Sequence, residues 1–243
     1  RFVLPDGVNP RISAPEEAAR VAEELRAAWQ LGLDPIENLT ELLEDKGIKV
    51  GLVDGPEGFD ACTFVMEDNT PVIAVRRDAP GDRQRFSIAH ELGHILLRPL
   101  KEVNAEKAAN RFAGAFLVPA QSARRELGER RHALSLYELH LLKHKYGLSM
   151  QAWVHRAKDL GIISEPVARR TFSQFRCYGW HREEPGDKLP PEEPKRMERL
   201  VMRALAEDLI SESRAAELLA MPLTEFWREV TARHGGLPAD LCN

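Results

Sequence analysis

Cysteine is scarce in this chain: three in 243 residues, at Cys62, Cys177 and Cys242. An odd number at such distant positions argues against a disulfide framework and against a thiolate zinc site, so any metal centre has to be built from histidine and carboxylate. Long apolar runs are missing too. Nothing approaches the roughly 20 residues that a membrane-spanning helix needs, and the opening Arg1-Phe-Val-Leu-Pro-Asp-Gly lacks the basic and apolar blocks of a secretory signal. These absences point to a cytoplasmic protein with no membrane partner. An excess of positive charge is likewise absent. With 34 Lys and Arg against 38 Asp and Glu, a net of −4, there is no global nucleic-acid footprint, and any DNA contact has to be local. The chain opens on Arg1 rather than Met, which suggests a piece of a longer protein and leaves room for an N-terminal DNA-binding domain ahead of it. No repeat period is visible.

What is present is the composition of a folded globular protein, 43% apolar and 30% charged, with enough chain for one large domain or two to three small ones. Residues 1–14, with Pro5, Gly7 and Pro10, read as an extended lead-in. An alanine-rich helix follows over 16–30, its Ala18, Val21, Leu25, Ala28 and Trp29 spaced as one stripe. Asp34-Pro35-Ile36-Glu37 predicts the start of a second helix, ending at Gly47. Three short β-prone runs, 48–53, 62–66 and 72–75, are separated by turn-rich segments and predict a small, mainly antiparallel sheet. Helices are expected again over 106–117, 135–146 and 149–160. The last two, joined around Gly147, form either a helix-turn-helix or a plain αα-hairpin packed on the body.

Residues 166–182 interleave Arg169, Arg170, Arg176 and Arg182 with Phe172, Phe175, Tyr178 and Trp180 and contain no acid. Such a mixture suits nucleic acid, and equally a helix with aromatics inward and arginines outward. Residues 183–194 are rich in Pro and acid and read as a linker. The tail is helical by pattern, with a second helix-turn-helix-like unit over 211–233. The expected organisation is therefore α+β: a domain with a small sheet and packed helices over 15–133, a helix-turn-helix-like helical subdomain over 134–182, the 183–194 linker and a C-terminal helical region over 195–243.

The chemistry concentrates in residues 85–97, Arg-Phe-Ser-Ile-Ala-His-Glu-Leu-Gly-His-Ile-Leu-Leu. His90 and His94, four residues apart, project from one helical face where a single zinc ion can reach both, and Glu91 is placed to act as general base on an attacking water. Catalytic zinc sites commonly use three protein ligands. The metzincin continuation, Gly and His after the second histidine, is missing, since the chain runs on as Ile-Leu-Leu-Arg98-Pro99. The third ligand then comes from a nearby carboxylate, Glu106 or Glu102. Glu106 is the better placed because it heads an amphipathic helix able to pack beside the motif helix. Asn110, four residues on, shares its face and could orient a ligand.

Arg85 to Leu97, followed by Glu106-Lys-Ala-Ala109-Asn110-Arg-Phe112-Ala113 and ending in Leu117-Val-Pro119, resembles the ImmA/IrrE family of metallopeptidases over roughly residues 15–163. One departure is Ala108, where members often carry Glu, so a competing carboxylate is gone. The resemblance implies a zincin-like fold, His90, His94 and Glu106 as ligands of one catalytic Zn2+ (or another divalent ion) and Glu91 as the base. It also implies a protein substrate, a helix-turn-helix repressor whose cleavage relieves repression, as in a stress response. The alternative is a DNA- or partner-binding regulator that uses the zincin fold as sensor or scaffold. His132, Tyr137, His140, His144 and Tyr146 are candidate oxyanion donors. A peptide substrate is expected to pair with a sheet edge, for which 72–75 is the candidate strand because it runs into the motif helix. Oligomeric state is not legible.

Overall fold

In the computed structural model the described residues are 2–56 and 58–233, and they form two compact units, Arg1–Glu193 and Pro194–Asn243. In the larger unit a one-turn 3-10 helix at Pro15–Glu17 leads into α1, Ala18–Ala28, which buries Ala18, Val21, Ala22 and Leu25 completely. That spacing is the helical stripe legible in the sequence, and each larger side chain in it contributes about 1.5–3 kcal/mol by leaving water. Helix α2 spans Leu39–Asp45 and is capped by Asn38, whose Oδ1 accepts from Glu41 N. The start expected at Asp34 is thus displaced. The carbonyls of Asp34 and Ile36 are taken instead by guanidinium groups from elsewhere in the chain, Arg26 at 2.8 Å and Arg85 at 2.7 Å. Tertiary donors have overridden a good local cap.

Strands β1 (Arg11–Ile12), β2 (Lys49–Val53), β3 (Ala61–Val65), β4 (Pro71–Arg76) and β5 (Arg98–Pro99) make two small sheets, β1 with β5 and the order β2-β4-β3. The three-stranded sheet is mixed rather than mainly antiparallel. Its β3 and β4 form a hairpin with Thr63 opposite Ile73, whereas β2 lies parallel to β4 with Val50 opposite Ile73. Because β4 lies between the other two, Val72–Val75 is not an edge at all, and the expectation that a peptide pairs there is overturned. The alternation of β4, with Pro71, Ile73 and Val75 buried, records its central place. Its neighbour β3 is the free edge of the hairpin and exposes Phe64 and Val65.

Helix α3, Gly81–Leu96, carries the histidine motif and packs against β3, β4 and α4, Ala105–Leu117. The remaining helices of this unit are α5 (Ala120–Leu127), α6 (Leu136–Tyr146), α7 (Met150–Asp159) and α8 (Glu165–Cys177). Between α6 and α7, Gly147 adopts φ 65°, and a Cβ there would also meet Arg85 Nε at 2.3 Å, so both the turn and the passage of Arg85 require glycine. Trp153, Val154 and Ala157 of α7 are fully buried. The α6–α7 pair is therefore a helical hairpin whose α7 is anchored in the core of the larger unit.

Residues 183–193, a spacer by composition, belong to the larger unit and are packed on it. Glu184 accepts from the backbone N–H of Met150 (3.0 Å) and Gln151 (3.1 Å) at the start of α7 and pairs with Lys143. Glu192 accepts from Leu39 N (3.1 Å) and Thr40 N (2.7 Å) at the start of α2 and pairs with buried Arg85. Acids that look like solubilising linker charge have found helix N-termini, where unpaired N–H groups and the helix dipole favour them.

The smaller unit holds α9 (Arg196–Ala206), α10 (Glu212–Leu218, capped by Ser211) and α11 (Leu223–Arg233) around Val201, Ala215, Ala216 and Phe226. Cys242 lies outside the described residues, and Cys62 and Cys177 are free thiols. Among the described residues no helix is long and apolar enough to cross a membrane.

Candidate metal centre

Two helices build the centre. On α3, His90 and His94 lie one turn apart with ring centroids separated by 4.7 Å and their Nε2 atoms by 3.0 Å. On α4, Asn104 caps the helix by accepting from Lys107 N at 2.8 Å, which sets the first turn and with it Glu106. The Glu106 carboxylate reaches both rings, Oε2 to His90 Nε2 and Oε1 to His94 Nε2, each at 3.2 Å. Glu102 lies outside this group, among the exposed residues.

The close approach depends on a residue that the sequence reading passed over. A Cβ on Gly93 would sit 3.2 Å from Ala109 Cα and 3.3 Å from Phe112 Cδ1. Glycine between the two motif positions therefore lets α4 lie against α3 closely enough for its carboxylate to reach the imidazoles. The signal was present as the Gly of His-Glu-Leu-Gly-His, but it has meaning only once the opposing helix is known.

Asn110 is one helical turn beyond Glu106, and its Oδ1 is 2.9 Å from His90 Nδ1. An amide oxygen only accepts, so Nδ1 carries the proton and Nε2 turns a lone pair toward His94 and Glu106. Two ring nitrogens and a carboxylate then converge with electron pairs facing one another, an arrangement that needs a proton or a cation between them. Ligand atoms of a tetrahedral site with bonds of about 2.0 Å lie about 3.3 Å apart. Separations of 3.0, 3.2 and 3.2 Å match that spacing. The donor set is thus able to hold a metal ion.

Glu91 is 8% exposed, and burial raises its carboxyl pKa above the ordinary value; the neighbouring His90 and His94 pull it down, while Glu106 adds to the rise. A carboxylate desolvated in this way is a stronger base than one in water. Of the candidate oxyanion donors, Tyr146 is buried with its hydroxyl donating to Glu126 Oε1 at 2.8 Å, Tyr137 is 71% exposed, and His140 and His144 meet edge to face along α6. His132 is exposed. Among the described residues, none of the three histidines joins the His-His-Glu ligand group.

Among curated proteins none matches this chain. A solved structure described as a Mycobacterium tuberculosis transcriptional regulator is similar over 58% of this chain at 22% identity and a TM-score of 0.40; the match spans 46% of that structure, about half its length. Residues 43–158 match the peptidase family model described as an IrrE N-terminal-like domain. That stretch runs from the end of α2 through the sheet, both helices of the His-His-Glu group and nearly all of α7, and over it the chain is similar to the ImmA/IrrE family of metallopeptidases.

Proposed function

We propose that this protein is a zinc-dependent endopeptidase whose substrate is a helix-turn-helix repressor, so that cleavage relieves repression. The observation that carries the reading is the convergence of His90 Nε2, His94 Nε2 and the Glu106 carboxylate beside a desolvated Glu91. His90, His94 and Glu106 would hold the ion. Two imidazoles and one carboxylate suit zinc, a borderline ion, and do not by themselves reject other divalent transition metals. When bound, the metal supplies Lewis acidity, lowering the pKa of water towards 7 and polarising a carbonyl.

The chain's own groups do the rest. Asn110 fixes the His90 tautomer and keeps its Nε2 unprotonated. Glu91 takes a proton from the attacking water onto its carboxylate and delivers it to the leaving amine, the acid–base work its raised proton affinity suits. The repressor as substrate is supported by similarity to the family over residues 43–158 rather than by a contact in this chain.

The test pairs two variants with a helix-turn-helix repressor chosen from among the products of genes neighbouring this one. Glu91→Gln should bind metal as the wild type does and cut nothing, while His90→Ala should lose both. A Glu91→Gln protein that still cleaves removes the mechanism; a wild type that binds zinc yet leaves the repressor intact removes the substrate assignment and leaves the metal site standing.

A further inference from the structure

Next to the His-His-Glu group lies a cleft of about 960 Å³ that the proposed cleavage does not use, walled by the start of α3, by α4, α7 and the 180–188 segment. Its walls carry eight lysine or arginine side chains against four carboxylates. Most of the cations are neutralised: Arg83 by Asp60 at 2.8 Å, Lys107 by Glu16 at 3.4 Å, Arg111 by Asp159 at 2.5 Å, Lys143 by Asp82 and Glu184, Lys158 by Glu165 at 3.5 Å and Lys188 by Glu183 at 2.7 Å. Arg156 is not. It is 2% exposed, its Nε donates to the Val118 carbonyl at 2.9 Å, and its Nη2 has no partner. Among the described residues no carboxylate pairs with it. Burial pushes its guanidinium down to about 10, which still leaves it charged at neutral pH.

A buried, unpaired guanidinium is costly unless something anionic meets it. Its planar fork matches carboxylate and phosphate oxygens, and in a partly enclosed site such a charge is weakly screened by salt. Phe86 and Trp180 add aromatic surface to the same cleft. The volume falls within the range of small-molecule sites, about 300–1,000 Å³. We propose that this cleft binds a small polyanion, a molecule bearing at least two carboxylate or phosphate groups, with one anionic group on Arg156 and an apolar or ring portion against Phe86 and Trp180. Asn110 lines the cleft and also holds His90 Nδ1, so an occupant would touch the residue that sets the tautomer of a metal-site histidine.

One wall position allows the site to be blocked without disturbing the metal group. A Cβ on Gly114 would meet only Arg156 Cδ, at 3.8 Å, an ordinary contact. Gly114→Met should therefore place its side chain in the cleft beside Arg156 while α4 keeps its backbone.

The experiment uses the full chain loaded with zinc and measures binding by calorimetry and by tryptophan fluorescence at fixed ionic strength. The probes are isophthalate, a ring with two carboxylates, benzoate with one, and benzamide with none. Isophthalate is expected to bind with Kd below about 1 mM, at least tenfold tighter than benzoate, with benzamide silent. Gly114→Met and Arg156→Met should each weaken it tenfold or more. Should Arg156→Met fail to fold, Gly114→Met alone decides. Isophthalate binding no tighter than benzamide, or binding unchanged in Gly114→Met, overturns the proposal. An Asp- and Glu-rich hexapeptide that binds where isophthalate does not would make the cleft a substrate groove and overturn the small-molecule assignment. None of these readouts depends on peptidase activity.

Discussion

Asn110 shows how much of the metal centre rests on a group that is not itself a ligand. Its Oδ1, 2.9 Å from His90 Nδ1, is the acceptor for that proton among the described residues. Removing such an orienting partner typically costs 10–100-fold in metal affinity, so Asn110→Ala should weaken zinc binding by about that factor in chelator competition, with little change in folding. Unchanged affinity would mean that His90 is oriented by packing alone. A second residue-scale effect lies at Glu126. Burial tends to raise its pKa, but hydrogen bonds from Lys145 and Tyr146 outweigh that and hold it below the ordinary carboxylate value. A folded-state pKa below the unfolded one gives stability that is present above pH about 4.5 and is lost as pH falls through the folded value. Glu126→Gln should therefore cost about 1–2 kcal/mol at pH 7, with the gap to wild type closing on acidification below about pH 4.5. Urea unfolding of both proteins across that range checks it; a gap that widens in acid contradicts the assignment. Asn110 was legible in the sequence because one helical turn separates it from Glu106, and a local period suffices to place it. Glu126 was not, because its partners Lys145 and Tyr146 arrive from a different helix.

At the level of elements, the spacing between α3 and α4 decides whether three ligands form one site. Gly93→Ala adds a methyl 3.2 Å from Ala109 Cα, backbone that cannot swing aside as a side-chain tip can. The two helices must part by a few tenths of an ångström, at about 1–3 kcal/mol for the overpacking. Because Glu106 rides on α4, zinc affinity should fall together with stability, which urea melts and metal competition on the same protein would show; a stability loss with intact affinity would place the strain elsewhere. The motif helix itself was readable from H-E-x-x-H, and the ligand helix from its apolar stripe. Their separation was not, since it depends on which side chains face each other. The sheet teaches the same lesson. All three runs were strands as read, but strand order is set by long-range pairing, and β4 proved central with β2 and β3 at the two edges. A substrate strand is thus better placed along β3, which packs beside α3. Proline scanned through Cys62, Thr63 and Phe64 should raise KM at positions whose N–H points away from β4, while equivalent cleavage by all three variants would remove the edge from substrate binding.

Across the larger unit, the segment 183–193 joins parts of the chain that are distant in sequence. Glu192 pairs with Arg85 of the motif helix, caps α2, and donates its own N–H to Gln84 Oε1 at 2.8 Å; Glu184 caps α7 and meets Lys143, which also holds Asp82 of the motif helix at 3.3 Å. Proline and acid in alternation look like a spacer because composition carries no information about where the carboxylates point. What distinguishes this segment is that two of its acids are nearly as buried as their basic partners, with side-chain exposures of 8% for Glu184 and 10% for Glu192. A buried ion pair is weak evidence for stability as it stands, since desolvation offsets much of the attraction, yet breaking one by removing a single partner leaves an uncompensated charge and costs about 3–5 kcal/mol. Glu192→Gln should fall in that range, because the amide cannot neutralise Arg85 and two N–H groups of α2 keep only a neutral acceptor. Glu184→Gln should cost less, because Lys143 keeps Asp82. Both carboxylates act on the first turns of α3, so the double variant should depart from additivity rather than sum the two losses. Urea unfolding of the two single variants and the double one, in the full chain, gives all three values. Equal and additive small losses, each under about 1 kcal/mol, would return the segment to the status of a surface tether, since exposed pairs are worth no more than that.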